Sequence, residues 1–348
     1  MPRKTAVLKD QLFLEHDPGY GHPESPARLA AIYRALEMRP SSGGLFFPDF
    51  TPARHEDLLL NHGAAYVARV AATAGQTFAS LDPDTCTSPH SYEAACLAAG
   101  AVIAGIKLVA SGQADNAAAL VRPPGHHAEA DNSGGFCLFN NIAIGARYGL
   151  KHLGMERIFI LDWDLHHGNG TQHSFYDTDQ VFYCSTHQYP HYPGTGSLQE
   201  TGRGKGEGYT LNVPLPGGQG DQDFARIMHE LVAPVARQYR PDCIMVSAGY
   251  DTHVLDPLGG MAVTTAGFAW LSRSMVALAE ELCAGRLVLV LEGGYYLQGL
   301  AEGVLASLLE MSGEEGAELA APSALPQAKR PLPALDAALT GAKKYWTF

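Results

Sequence analysis

Residues 158–171 read IFILDWDLHHGNGT, and this stretch decides the fold. Its first four residues are wholly apolar. Asp162, Asp164, His166 and His167 follow within six positions, then glycines at 168 and 170. A continuous apolar run of this length marks a strand buried on both faces of a parallel sheet. Polar groups placed directly after it sit at the carboxyl end of that strand. In an open α/β sheet, ligands bind in the crevice beyond those ends.

The same pattern recurs outward from this point. Apolar runs lie at 117–121 (AAALV), 181–185 (VFYCS), 209–213 (YTLNV), 243–247 (CIMVS) and 287–291 (LVLVL). Helix-like stretches at 25–37, 91–111, 138–152, 221–239, 265–284 and 297–310 alternate with them. Strand and helix in alternation predict an α/β layered fold with crossover helices. AAALV leads to RPPGHH, CIMVS to AGYDTH and LVLVL to EGGYY. Four strand ends therefore converge in Asp, His and Tyr, where random placement would scatter them.

Side chains alternate along extended backbone, so Asp162, Asp164 and His166 share one face if the strand continues past Leu161. Such a row is costly to desolvate unless a cation balances it. A carboxylate, an imidazole and one more carboxylate from another strand end make a three-ligand site with an open position, as in catalytic zinc. Asp251 is the best third ligand. His167 points the other way and reads as structural.

His126 and His127 follow a Pro-Pro-Gly turn. Each needs its second ring nitrogen held by an acceptor. A histidine held by a carboxylate stays cationic, whereas one held by an amide titrates nearer neutrality and suits a general base. That logic pairs His127 with Asn169 as the base, and His126 with Asp162 as its electrostatic partner. Tyr295, after two glycines, can donate to a developing oxyanion. Tyr296 reads as a packing residue.

The motifs GHHAEADNSGGFCLFNN (125–141), ILDWDLHHGNGTQ (160–172), HQYPHYPGTG (187–196), VSAGYDTHVLDPLGG (246–260) and LEGGYY (291–296) resemble the zinc-dependent histone deacetylase family of the arginase/deacetylase superfamily. HPESPARL at 22–29 fits its N-terminal motif. Asn169, RPPGHH and EGGY are similar to the class II branch and its bacterial deacetylase-like amidohydrolases. The resemblance implies a three-layer α/β/α domain with an eight-stranded parallel sheet, spanning 1–348 with a core at about 16–310 and a C-terminal extension at 311–348. It implies Asp164, His166 and Asp251 as zinc ligands, with His126, His127 and Tyr295 catalytic. It further implies potassium at Asp162, Asp164, His166, Ser185 and Thr186, and again at Phe175, Thr178, Val181 and Tyr209. Gly135, Phe136 and Tyr192 would wall a narrow substrate channel. Asp84 matches a rim carboxylate that grips substrate backbone in some relatives.

The implied reaction is hydrolysis of an N-acetyl amide, on an acyl-lysine peptide or protein or on a small N-acetyl amine. Leu258 stands where polyamine-selective relatives carry an acidic gatekeeper, which favours acetyl-lysine over the alternative, an acetylpolyamine. An arginase-like hydrolase would need a second metal's ligands. A non-catalytic zinc module commonly lacks the tyrosine or a histidine.

Bulk properties narrow the partners. A net charge of −12 argues against nucleic acid. Six cysteines without a C-x-x-C pair exclude a zinc ribbon. The apolar run 94–110 is broken by Lys107 and reads as a buried helix, not a membrane span. With no apolar signal core at the start, a cytoplasmic location is expected; nothing in the chain excludes a homo-oligomer. The Ala/Pro/Glu-rich stretch 312–333 reads as a loose extension, after which 345–348 could dock back.

Overall fold

All six apolar runs form strands of one sheet in the computed structural model, which describes residues 2–39, 43–314 and 330–348. In chain order the strands are β1 (Thr5–Leu8), β2 (Leu45–Phe46), β3 (Ala79–Ser80), β4 (Cys86–Thr87), β5 (Asn116–Ala119), β6 (Ile158–Asp162), β7 (Val181–Gln188), β8 (Thr210–Leu215), β9 (Cys243–Ala248) and β10 (Leu287–Leu291). Eight of them make a sheet in the order β2-β1-β5-β10-β9-β6-β7-β8, parallel at every pairing. β3 and β4 form a small antiparallel hairpin.

The central strands are buried on both faces, as their unbroken apolar character requires. Every residue of β6, β9 and β10 is buried. Each fully buried Val, Leu or Ile there contributes about 1.5–3 kcal/mol. Helices Ser91–Ala110 and Asn141–His152 pack on each other, and helices Pro26–Glu37, Thr265–Cys283 and Leu297–Ser312 form a second group. Both groups touch β1, β9 or β10 without packing substantially on each other, so they cover opposite faces and make three layers.

Ser91–Ala110 has the length and composition of a membrane span, yet 14 of its 20 residues are buried inside the fold. It is the core helix the sequence predicts. Asn140 caps Asn141–His152 by accepting from the Ala143 nitrogen at 3.0 Å. The helical stretch at 221–239 is not regular. It widens to a π turn at Met228–Val232 before Pro234, which has no N–H to offer the preceding turn.

One expectation is corrected and another falls mostly outside the described residues. The core begins before residue 16, because β1 lies inside the sheet between β2 and β5. The predicted loose extension at 312–333 falls largely on 315–329, outside the described residues; beyond it, helix Pro333–Ala342 packs on β8. The tail does dock. The Trp346 indole donates to the Gly208 carbonyl at 2.9 Å, and the Tyr345 hydroxyl to Glu207 at 3.0 Å.

Candidate active site

The polar clusters meet at the carboxyl edge of the sheet, supplied by the loops after β5, β6, β7, β9 and β10. The extended row expected at 162–166 is not what brings them there. β6 ends at Asp162 and the chain bends through residues 164–166. Asp164 and His166 converge because backbone donors aim them. The Gly293 nitrogen donates to Asp164 Oδ2 at 2.8 Å, and the His166 nitrogen to Asp164 Oδ1 at 2.9 Å. The Leu165 nitrogen donates to Asp251 Oδ1 at 2.9 Å.

Asp164, His166 and Asp251 are buried, and their ligand atoms all lie within 4.8 Å of one another. His166 Nδ1 is 3.1 Å from Asp251 Oδ2 and 3.2 Å from Asp164 Oδ1. One ring nitrogen thus faces two carboxylates, with at most one proton to share. Burial and the Asp164 charge push Asp251 up to about 7. For His166, burial works against the charged form, but Asp164 and Asp251 overcome it and raise the ring to about 9. The glycine at 293 keeps this space open: a Cβ there would sit 2.2 Å from Asp251 Oδ2. Two carboxylates, one imidazole and a cleared centre fit a dication with three protein ligands.

The tandem histidines differ in partner, as their sequence context predicts. His126 Nδ1 lies 3.1 Å from Asp162 Oδ2, which also accepts from the Tyr183 hydroxyl at 2.9 Å. Burial opposes the His126 charge, but Asp164 and Asp162 raise it to about 10. His127 Nδ1 lies 2.7 Å from Asn169 Oδ1. Burial, then the His126 and His166 charges, hold His127 well below its usual range. The surroundings push one ring toward the cationic form and the other toward the neutral one. His167 is structural, between Thr195 and Gln172.

Tyr295 is set by residues far away in the chain. Its nitrogen donates to Asp256 Oδ2 at 2.7 Å. Arg28 lies over its ring at 5.0 Å and donates to the Gly294 carbonyl at 2.7 Å. Arg28 is paired with Glu24 at 3.0 Å, and Glu24 with Arg122. All three are fully buried. Burial raises the phenol well above its usual range, so Tyr295 remains a donor.

Gly135, Phe136, Tyr192 and Leu258 line one cavity with His126, His127, His166, His191 and Tyr295; its volume is ≈ 620 Å³ including the open mouth. The Phe136 ring lies edge-on to Tyr295 at 6.1 Å, and Tyr192 edge-on to His127 at 5.1 Å. Phe136 holds a φ of 71°, a left-handed conformation uncommon outside glycine. Asp84 holds that turn by accepting from the Gly135 nitrogen at 3.1 Å.

The remaining predicted residues are placed more loosely. Ser185 is opposite Asp162 in the β6–β7 register, and Thr186 Oγ1 lies 3.5 Å from the Asp162 carbonyl. Ser185 Oγ is also 2.9 Å from His187 Nδ1. Phe175 and Thr178 lead into β7, which Val181 opens, while Tyr209 precedes β8; the Phe175 and Tyr209 carbonyls already accept from Thr178 and Tyr183.

Sequence reasoning missed several members. Glu292 is fully buried, accepts from the Gly125 nitrogen at 2.7 Å and the His126 nitrogen at 3.2 Å, and so anchors the histidine turn. His191 lines the cavity with its ring 5.2 Å from His166. The i, i+4 spacing of Glu24 and Arg28 was a readable signal; nothing local pointed to Glu292.

An eight-stranded parallel sheet with this cluster at its carboxyl edge defines the arginase/deacetylase class of α/β fold. Residues 22–311 match the histone deacetylase domain model, and the chain belongs to that family of deacetylases and amidohydrolases. It is 42% identical to "Histone deacetylase 14, chloroplastic" of Arabidopsis thaliana, over 84% of this chain and 74% of the relative. It is 37% identical to the "Histone deacetylase-like amidohydrolase" of Pseudomonas aeruginosa, over 91% of this chain and 88% of that one. The crystal structure of the HDA15 HD domain superposes with a TM-score of 0.90 at 34% identity, covering 99% of this chain and 95% of that one.

Proposed function

We propose that the protein is a zinc-dependent amidohydrolase that removes the acetyl group from acetyl-lysine or a similar N-acyl amine. The observation that carries this is the buried set Asp164, His166 and Asp251, of which His166 lines the cavity, beside one histidine held by a carboxylate and one held by an amide. Zinc held there would polarise the amide carbonyl and acidify a water molecule.

The protein's own groups do the rest. His127 Nε2 has no protein partner among the described residues and accepts the water proton. The Tyr295 hydroxyl donates to the oxygen that gains charge as the carbonyl is attacked. His126, held cationic by Asp162, adds positive charge beside that centre, and one of the two rings returns a proton to the leaving amine. Phe136 and Tyr192 flank the acyl-bearing stem and exclude water. Potassium is assigned to Asp162, Asp164, His166, Ser185 and Thr186, where it would balance the acidic loop after β6. A second is assigned to Phe175, Thr178, Val181 and Tyr209.

Leu258 offers no charge at the mouth for a second ammonium, which favours acetyl-lysine over an acetylpolyamine. The test is kcat/KM on an acetyl-lysine peptide and on acetylspermidine, with and without a chelator and with zinc added back. Turnover that the chelator abolishes and zinc restores supports the reading. A chelator-resistant rate, or none on any N-acyl amine, overturns it. Preference for acetylspermidine would select the polyamine alternative.

A further inference from the structure

The Asn169 side chain is held from both ends. Its Oδ1 faces His127 Nδ1 at 2.7 Å, and its Nδ2 donates to Glu129 Oε1 at 2.6 Å. His173 Nδ1 lies 2.8 Å from the same Glu129 oxygen. An amide can rotate to offer either its oxygen or its NH2, and the two choices demand opposite tautomers of the ring it faces. Oxygen toward His127 requires the proton on Nδ1 and leaves the Nε2 lone pair free. NH2 toward His127 would require the proton on Nε2, where a base must accept one.

We propose that Glu129 is a positioning residue that selects the His127 tautomer by fixing the orientation of Asn169. A carboxylate accepts and does not donate, so only the Asn169 NH2 can face it. His173, donating from the outer side, holds Glu129 against the amide. An aspartate in place of Asn169 could present only acceptors to His127 and would need no such partner. An asparagine there needs acceptors on its NH2 to break the degeneracy; the His127 carbonyl is a long one at 3.5 Å, and Glu129, at 2.6 Å, is the close one. The hydrogen-bonded chain therefore runs from a half-exposed histidine through Glu129 and Asn169 to the general base, and the catalytic relevance of the tautomer rests on the reading given under Proposed function.

The experiment combines ring-nitrogen chemical shifts with kinetics on Glu129→Gln, Glu129→Ala and the double variant Glu129→Gln/Asn169→Asp. Histidine-selective 15N labelling of the metal-free protein reads the tautomer directly, with His127→Ala assigning the signal. Wild type should show a single Nδ1-protonated ring. Glu129→Gln or Glu129→Ala should populate the Nε2-protonated form and lower kcat about tenfold with KM little changed. The double variant should recover a ring protonated at Nδ1, with the rate still low because a carboxylate at 169 holds that ring cationic. An unchanged ring in both single variants, or no recovery of Nδ1 protonation in the double, overturns the proposal. The shift measurement needs no turnover, so a protein inactive on every acyl substrate would remove the proposed function and leave the Glu129 result to be judged alone.

Discussion

The Arg28 guanidinium lies 5.0 Å from the Tyr295 ring centroid and donates to the carbonyl of the preceding residue, Gly294. It therefore fixes the loop that carries the hydroxyl as well as the face of the ring. Removing that hydroxyl leaves the loop and the three candidate ligands untouched. Tyr295→Phe should lower kcat/KM by about 10²–10³, the usual loss for one oxyanion donor. Zinc content, measured on the same sample, should not change. Wild-type turnover would end the assignment of Tyr295 as the donor.

Gly135 has a φ of +54°, and a Cβ there would lie 2.2 Å from the His127 ring. Gly135→Ala combines backbone strain of roughly 1 kcal/mol with displacement of the base. Misplacing a reacting group by about 1 Å can reduce rate 10²-fold. A drop in kcat of at least about tenfold, with native circular dichroism, is expected. An unaltered kcat would show that His127 is free to move aside without consequence.

Asp251 supplies one of the two candidate ligand oxygens, beside the His166 nitrogen. Asp251→Ala should lose stoichiometric zinc and the rise in Tm that zinc bound to the folded wild type alone is expected to produce. Metal analysis after dialysis, with melting curves at several zinc concentrations, reads both effects. Full zinc retention would mean that the ion is held elsewhere.

His62 accepts the Asn140 N–H at Nε2 and lies 2.9 Å from the Glu129 carbonyl at Nδ1, so both nitrogens are committed to the neutral ring. Burial lowers it to about 4 from 6.5. The folded state thus binds this proton less readily than the unfolded chain. Stability is full above pH about 6.5 and falls as pH drops toward 4, by up to about 1.4 kcal/mol per pH unit. Urea unfolding at pH 7.5 and 5 should show this loss, and His62→Gln should flatten it. Equal slopes in the two proteins would place the acid sensitivity on other groups.

Leu258 stands at the cavity mouth, half-buried. Leu258→Glu adds the charge that a distal ammonium seeks. At an exposed rim such a pair contributes up to about 1 kcal/mol, or roughly fivefold in kcat/KM for acetylspermidine, and salt should screen the gain. No gain at low ionic strength would show that specificity is set deeper in the channel.

How much was legible depended on the distance between cause and effect along the chain. The strand ends were readable because burial on both faces forces unbroken apolar runs, and the His126–Asp162 and His127–Asn169 pairings followed from carboxylate against amide chemistry. β2 was missed because it has only two residues, and β1 because its apolar run, Ala6–Leu8, is only three residues long. Glu292 was missed because its partners, Gly125 and His126, lie more than 160 positions away. The convergence of Asp164 and His166 was foreseen, but for the wrong reason: bends and backbone donors achieve it, not a continued strand.

By itself the sequence determined the layered α/β class, the edge of the sheet that bears the chemistry, and the residue types present there. Those follow from local patterning, since each strand must match its own two neighbours and each polar group must lie outside the apolar run. Only the tertiary structure decided how those groups are oriented and what holds them in place. Asn169 can turn either way until Glu129 meets it, and Tyr295 is a loop tyrosine until Arg28, from the other end of the chain, packs against its ring. Orientation in a buried polar site is set by partners that chain order does not bring near, and they meet only when the layers close.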